Sequence, residues 1–311
     1  MLLDRRTFLA SAGAFCTFGL TGPVSADTIQ QRSIALWDNG PPGGGGPEGP
    51  VVENAKGAIS NIAAPSMDIY MPHRPSGAAM LVAAGGGYKR IEVEKEAIPA
   101  ARWLNEHGIV ACVLKYRLPR EKWNDGPLAP LQDVHRALRL IRSGHVSRQI
   151  DPSRVGVLGF SAGGHLMGLA AARSHFQSYV PLDKTDSFSP RPSVLALAYP
   201  VITLKPPYDK TSTRVSLVGR SPTVKDTASW SVETYVRENC PPTFLTQAEN
   251  DSISNPANTA IMEEACQKAG VKVERHLFSR GGHGFAMGRR NSPTSHWPDK
   301  LENWLRRYDM V

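Results

Sequence analysis

Residues 159–163 read Gly159-Phe160-Ser161-Ala162-Gly163, between an apolar run at 154–158 and a helix-like stretch at 164–172. A serine flanked at this spacing by two glycines, on a strand-turn-helix, is typical of a nucleophile elbow. Glycine has no Cβ, and the two glycines leave room for the sharp turn that exposes the serine hydroxyl. The pattern therefore predicts Ser161 as a nucleophile.

The length and composition allow one large core, and one catalytic domain is expected because α/β domains of this size are ordinary. The chain has 311 residues, 41% of them hydrophobic and 21% charged. The formal net charge of +8 is spread without a block of five or more basic residues, so no nucleic-acid partner is expected. The cysteines show no metal-ligand spacing, and neither a metal nor a cofactor is expected.

The first 26 residues carry the pattern of an export signal. Arg5 and Arg6 precede a short apolar stretch that ends near Ala26, which is typical of twin-arginine signals and predicts a periplasmic or secreted protein. The segment from Phe8 to Leu20 is short and rich in Gly, Ser and Ala, so no stable membrane insertion is expected after signal removal. A retained anchor is the alternative.

Three cysteines follow the predicted signal: Cys112, Cys240 and Cys266. Export would permit their oxidation, but three cysteines form at most one disulfide within a chain. Cys112 lies in an apolar run, where a buried free thiol is expected.

Two segments follow the predicted signal. Residues 27–60 are predicted as a lead-in with a Gly/Pro-rich loop at 39–50, and residues 61–311 as one catalytic domain. In the latter, β-like and helix-like segments alternate, which predicts an α/β fold with a doubly wound, mostly parallel sheet and helices on both faces. The predicted strands are 67–71, 79–84, 109–115, 155–160, 194–199, 243–247 and 271–278.

Capping and glycine signals predict three helices, at 99–107, 128–141 and 255–270. Two polar, Pro-rich stretches, 176–192 and 203–242, do not fit the alternation. They predict connections or a small lid near the site.

A nucleophilic serine needs a base within hydrogen-bond reach and a third group that orients the base. His283 is the predicted base, because it lies in a glycine-rich loop just beyond the last strand. His165 is predicted as structural, since its side chain should point away from the Ser161 hydroxyl. Asp251 follows the preceding strand and is the predicted acid, with Glu249 as the alternative.

Acyl transfer also needs backbone N–H groups aimed at the oxyanion. The loop after the strand at 79–84 predicts two of these donors, Gly86 and Gly87, and the elbow predicts the third, Ala162. A phosphate-binding loop is the competing interpretation, but no Lys-Ser or Lys-Thr follows at the required spacing. Tyr88 and Arg90 are predicted to border the substrate. The basic character of Lys89 and Arg90 indicates either a uronate-bearing substrate or solvated surface charge.

These motifs resemble those of the α/β-hydrolase carbohydrate esterases, especially acetyl-xylan-esterase-like proteins grouped with acetyl esterases and lipases. The matching stretches are 60–62, Pro65, 85–88, 114–119, 130–137, 150–166 and 281–285. The resemblance implies that Ser161, Asp251 and His283 form a triad. Two departures are Asn250-Asp251-Ser252, where the family often has two acids and a proline, and Ala84, where many relatives have proline or histidine.

The resemblance and the motifs together predict an exported serine esterase that removes acetyl or other short acyl groups from a polysaccharide or oligosaccharide. The expected partner is this acylated carbohydrate, and the oligomeric state is left open. A peptidase, lactonase or lipase could use the same triad. A non-catalytic carbohydrate-binding protein on a hydrolase scaffold is the alternative outside the enzymes.

Overall fold

The fold is built on one sheet of eight strands. The computed structural model describes residues 30–311. The predicted signal at 1–26 lies outside the described residues. The strands, including a separate two-stranded pair, are β1 (Gln30–Ala35), β2 (Val52–Glu53), β3 (Ile59–Ser60), β4 (Ser66–Met71), β5 (Ala79–Ala83), β6 (Val110–Lys115), β7 (Val155–Phe160), β8 (Leu195–Ala198), β9 (Thr243–Ala248) and β10 (Val273–Phe278).

The order across the large sheet is β1-β4-β6-β5-β7-β8-β9-β10. All neighbours from β6 to β10 are parallel, whereas β4 runs antiparallel to β1 and to β6. Every residue of β5, β7, β8 and β9 is buried, so both faces of the central sheet are covered. The predicted doubly wound, mostly parallel sheet is confirmed.

The α-helices of residues 30–311 are α1 (Ile98–Glu106), α2 (Ala129–Arg142), α3 (Ser161–Ala172), α4 (Ser212–Val218), α5 (Val224–Ser229), α6 (Ala257–Lys268) and α7 (Trp297–Arg306). Of these, α1, α2, α3, α6 and α7 pack against strands of the sheet. A π-helical turn, Val93–Ala97, runs directly into α1. Each helix within residues 30–311 is too short or too polar to traverse a lipid bilayer.

The seven predicted strands and three predicted helices all occur, and their ends differ from the predicted ones by at most two residues. β1 was not predicted, and it lies within the predicted lead-in at 27–60. Its register with β4 pairs Ser33 with Asp68 and Ile34 with Met67, so this part of the lead-in is an edge strand of the main sheet. The remaining domain bounds stay predictions.

The Gly/Pro-rich loop at 39–50 is fixed to the core by a buried arginine. Arg117 forms an ion pair with Asp133, in which both side chains are fully buried and the nitrogen–oxygen distance is 2.9 Å. Its Nη1 also donates to the Pro42 carbonyl at 3.0 Å. The loop therefore folds back onto the start of α2. All three described cysteines are buried free thiols, which includes the state predicted for Cys112.

Candidate active site

The predicted elbow lies where β7 ends and α3 begins. Phe160 has extended backbone, and Ser161 has a φ of 51°, which is uncommon for a residue with a Cβ. A Cβ on Gly159 would lie 2.5 Å from the Gly163 carbonyl oxygen, and one on Gly163 would lie 2.2 Å from the Ala83 oxygen. Only glycine fits either position, so the spacing read from the sequence has a steric cause.

The three predicted triad residues meet at the carboxyl ends of β7, β9 and β10. Ser161 Oγ lies 2.8 Å from His283 Nε2, and His283 Nδ1 lies 2.8 Å from Asp251 Oδ2. The Asp251 side chain has no exposed surface. A proton on Nδ1 makes His283 a donor to Asp251 and an acceptor from Ser161. This is the arrangement a serine nucleophile needs, although the catalytic roles stay predictions.

Asp251 is fixed by more than His283. Its Oδ1 accepts from the Ile253 and Ser254 backbone N–H groups, both at 2.9 Å, and its Oδ2 also accepts from Gln247 Nε2 at 3.1 Å. Glu249, the alternative acid, is exposed. The structure therefore brings Asp251, rather than Glu249, to the imidazole.

The loop that carries His283 is attached to its neighbours at both ends. Asn250 Oδ1 accepts from the N–H groups of Gly281 at 3.0 Å and Gly282 at 2.8 Å. Trp297 Nε1, on α7, donates to the Ala286 carbonyl at 3.0 Å. Asn250 stands where the family often has an acidic residue, and here it holds the loop that carries His283 against the loop that carries Asp251.

The predicted oxyanion donors lie beside Ser161. Gly86 and Gly87 have φ values of 121° and 65°, and a Cβ on them would meet Arg90 O at 2.2 Å and Ser212 Oγ at 2.0 Å. Within residues 30–311 neither amide donates to another protein group. Ala162 is the second residue of α3, where N–H groups have no intrahelical acceptor. Their role as oxyanion donors stays a prediction.

Tyr88 does not border the cleft, contrary to expectation. Its φ of 57° belongs to a turn that sends the side chain into the core, where it is 1% exposed. Its hydroxyl donates to His165 Nδ1 at 3.0 Å, and His165 Nε2 donates to the Trp230 carbonyl at 2.7 Å. Burial lowers the pKa of His165 to about 4, so the ring is neutral. Both residues have structural roles, as predicted for His165 alone.

The cleft in front of Ser161 has a volume of about 270 Å³ and two polar walls. One wall comes from residues 86–96 and includes Arg90, whose Nε pairs with Glu92 Oε1 at 2.6 Å. The other comes from residues 211–213, within the stretch predicted as a connection or small lid. Arg90 therefore borders the cleft as expected, but an adjacent carboxylate compensates its charge.

Glu96 was not predicted, although it is a buried carboxyl in this cleft. It is 3% exposed, and its Oε2 accepts from the Gly85 N–H at 2.6 Å. Burial raises its pKa, against the opposing effect of its hydrogen bonds from Gly85 and Tyr199. In the sequence it belongs to the polar run Glu-Val-Glu-Lys-Glu, which resembles an exposed helix. It lies in the π-helical turn before α1, where its side chain is buried.

Within residues 30–311, no group of three or more His, Cys, Asp or Glu side chains is arranged to hold a metal ion.

Known proteins that are similar to this chain include a matching family model and carbohydrate-acting relatives. The model of the family described as BD-FAE matches residues 67–266. An acetylxylan esterase from Xylanibacter ruminicola is 28% identical over 252 residues, which cover 80% of this chain and 49% of that protein. Endo-1,4-beta-xylanase B from Butyrivibrio fibrisolvens is 32% identical over 209 residues, or 67% of this chain and 32% of that protein. The chain thus spans half or less of the length of these curated relatives.

Solved structures give the same picture. The crystal structure of an acetyl ester-xyloside bifunctional hydrolase from Caldicellulosiruptor lactoaceticus matches with a TM-score of 0.75 and 31% identity, covering 92% of this chain and all of the other. A carboxylesterase from Lactobacillus plantarum shares the fold, with a TM-score of 0.68 and 20% identity over 91% of this chain and 98% of the other. The predicted fold and family resemblance are confirmed, and the relatives support the predicted enzyme class, a carboxylic ester hydrolase.

Proposed function

Because the chain belongs to the BD-FAE family of α/β-hydrolases, we propose that it is a serine esterase that removes acetyl or other short acyl groups from a polysaccharide or oligosaccharide. The observation that carries the proposal is the continuous hydrogen-bonded path from Ser161 through His283 to Asp251, which opens into a cleft.

In the proposed reaction, Ser161 Oγ attacks the ester carbonyl carbon while its proton passes to His283 Nε2. Asp251 keeps the other imidazole proton on Nδ1 and stabilises the imidazolium. His283 then protonates the sugar oxygen that leaves, and an acyl-enzyme remains on Ser161. Water, deprotonated by His283, attacks this ester and releases the acid and the free serine.

Negative charge develops on the carbonyl oxygen in both steps. The amides of Gly86, Gly87 and Ala162 are the donors proposed to meet it. The two glycine amides are free to do so because they donate to no other protein group in the described chain. No metal or cofactor has a part in the proposed reaction.

The cleft lining favours a sugar ester over a lipid ester. Hydroxyl and charged side chains line it, among them Thr211, Ser212 and Lys95. Such groups suit a hydrated carbohydrate better than a long acyl chain. The names of the relatives, an acetylxylan esterase, a xylanase and an acetyl ester-xyloside hydrolase, support a xylan-like substrate.

Export is a further part of the proposal. It is supported by the twin-arginine pattern at residues 1–26 and by relatives that are named for xylan, a polymer too large to enter a cell intact. Replacing Arg5 and Arg6 by lysine should leave the protein in the cytoplasmic fraction. Unchanged export of this variant would refute a twin-arginine route.

The test of the proposed chemistry is Ser161→Ala. Hydrolysis of 4-nitrophenyl acetate and of acetylated xylo-oligosaccharides should fall by about 10⁴-fold or more, because the nucleophile is lost. A fluorophosphonate probe should label the wild type and not this variant. The matched control is Ser178→Ala, since Ser178 Oγ also contacts a histidine, His135 Nδ1, at 2.9 Å but has no elbow.

The control should keep both labelling and activity. A folded wild-type protein that neither labels nor hydrolyses these esters would support the carbohydrate-binding alternative and refute the esterase. Faster cleavage of a peptide, a lactone or an emulsified lipid than of the sugar esters would instead move the proposal to another hydrolase class.

A further inference from the structure

Glu96, in the wall of the cleft, and the buried Tyr199 form a hydrogen-bonded bridge that the proposed reaction does not use. Glu96 Oε2 accepts from the Gly85 N–H at 2.6 Å, and Oε1 accepts from the Tyr199 hydroxyl at 3.0 Å. The Tyr199 hydroxyl in turn accepts from the Ala286 N–H at 3.0 Å. One pair of side chains therefore links the loop of the oxyanion glycines to the loop of the base.

Both ends of this bridge touch groups that the reaction needs. Gly85 packs against the nucleophile, since a Cβ on it would lie 2.7 Å from Ser161 Cβ. The Tyr199 ring meets the His283 ring edge to face, with centroids 5.0 Å apart and planes at 69°. Tyr199 has a φ of 39°, a backbone conformation that residues with a Cβ rarely adopt.

Placing a carboxyl group here has a cost. Glu96 is 3% exposed, and none of the ion pairs formed by residues 32–311 includes it. Burying a carboxyl without a cationic partner is unfavourable unless hydrogen bonds compensate for the lost water. The two hydrogen bonds that compensate Glu96 come from the Gly85 N–H, in the loop of the oxyanion glycines, and from the Tyr199 hydroxyl, which is bonded to the His283 loop.

We infer that Glu96 is a positioning residue, which holds the Gly85–Gly87 loop and the His283 loop at the separation that the transition state requires. The inference rests on the proposed function. The Gly85 amide is committed to the carboxylate, and this fixes the Ala84–Gly85 peptide, which adjoins the peptide that carries the Gly86 amide. Oxyanion donors act only when they are aimed before the reaction, and a misplacement of about 1 Å can cost about 10²-fold in rate.

The experiment measures kcat per active site, titrated by the burst of 4-nitrophenol. Glu96→Ala should lower kcat by about 10²-fold and change KM by less than about threefold, because the loops stay in place for binding but not for the transition state. Glu96→Gln should recover at least about tenfold of this loss. Its amide oxygen can still accept from Gly85, and its amide nitrogen can donate to the Tyr199 oxygen.

Tyr199→Phe keeps the ring against His283 and removes only the hydroxyl, so it should lower kcat by about tenfold. The double variant Glu96→Ala/Tyr199→Phe should be no worse than Glu96→Ala alone within about twofold, since both changes break one bridge. The matched control is Glu121→Ala. Glu121 also accepts backbone N–H groups, from Asn61 and Ile62, but lines a different cavity.

The control should lose thermal stability and keep kcat per titrated site. Wild-type kcat per site in Glu96→Ala, or losses that multiply in the double variant, would overturn the inference. If Glu96→Ala does not fold, the test is made with Glu96→Gln and Tyr199→Phe. Wild-type kcat per site in both of these variants would then refute the inference. The proposed function fails separately, through activity that persists in Ser161→Ala.

Discussion

Asp251→Asn probes the orientation of the base with almost no change in shape. Both carboxylate oxygens of Asp251 act only as acceptors: Oδ1 from Ile253 and Ser254, and Oδ2 from Gln247 and His283. Asparagine can supply one accepting oxygen. Its NH₂ group must therefore face donors on one side or the other.

The less costly orientation keeps the two backbone bonds and turns the NH₂ toward His283. A backbone N–H cannot change its role, whereas the imidazole can move its proton from Nδ1 to Nε2 and accept. In that tautomer Nε2 donates to Ser161 Oγ, so it can no longer take the serine proton. Such an exchange in a Ser-His-Asp triad costs about 10⁴-fold in kcat, or about 5 kcal/mol of transition-state stabilisation.

The assay is kcat for 4-nitrophenyl acetate and for an acetylated xylo-oligosaccharide, with urea unfolding to confirm a folded variant. Gln247 loses an acceptor, so we expect about 1–3 kcal/mol of lost stability. Glu249→Gln, two residues away and exposed, is the control and should keep kcat within about twofold. A folded Asp251→Asn enzyme with kcat within about tenfold of the wild type would refute this account of the triad.

Three further outcomes follow from the structure. Gly163→Ala should lower the free energy of unfolding by about 2–3 kcal/mol in urea, because its Cβ would lie 2.2 Å from a backbone oxygen. The control Gly168→Ala, whose Cβ would have its nearest contact at 3.1 Å, should lower it less. Equal losses of stability in the two variants would contradict the steric argument. His165 takes up its proton near the ordinary pKa of 6.5 in the unfolded chain, whereas burial lowers its pKa in the folded protein to about 4. The free energy of unfolding should therefore fall as the pH drops from about 6.5 toward 4, by up to about 1.4 kcal/mol per pH unit. The denaturation midpoints of His165→Gln should fall less steeply with pH, and parallel curves would contradict the assignment. Lys95 lies on the rim of the cleft, and Lys95→Met should raise the KM for uronate-bearing acetylated oligosaccharides about threefold more than the KM for neutral ones at low salt. An equal change in the two KM values would mean that the basic residues are solvated surface charge and do not select the substrate.

The elbow and the base could be predicted because local sequence determines them. Gly159 and Gly163 have no steric alternative, and a glycine-rich loop after the last strand brings His283 to the same edge of the sheet. Asp251 and Glu249 were separable only in three dimensions, since the turn after β9 decides which carboxylate points inward. The sequence carries both at nearly the same position.

Other features depend on contacts between distant segments. β1 has a largely polar sequence, and its pairing with β4 is what makes it a strand. Tyr88 follows three glycines and looked like a cleft residue, but its backbone turns it toward His165. Glu96 reads as a surface acid, and its partners Gly85 and Tyr199 lie on other elements. No local pattern signals any of the three.

His283, the predicted base, lies in the loop that follows the last strand of the sheet. β10 is the outermost strand beside β9, and behind the His283 loop α7 buries Trp297 and Trp304 and fastens Ala286. A chain that lacks β10, the His283 loop and α7 would keep Ser161 and Asp251 but lose His283, the proposed acceptor of the serine proton. The proposed hydrolytic activity therefore depends on the docking of β10, the His283 loop and α7, and a chain truncated before β10 should be inert toward esters.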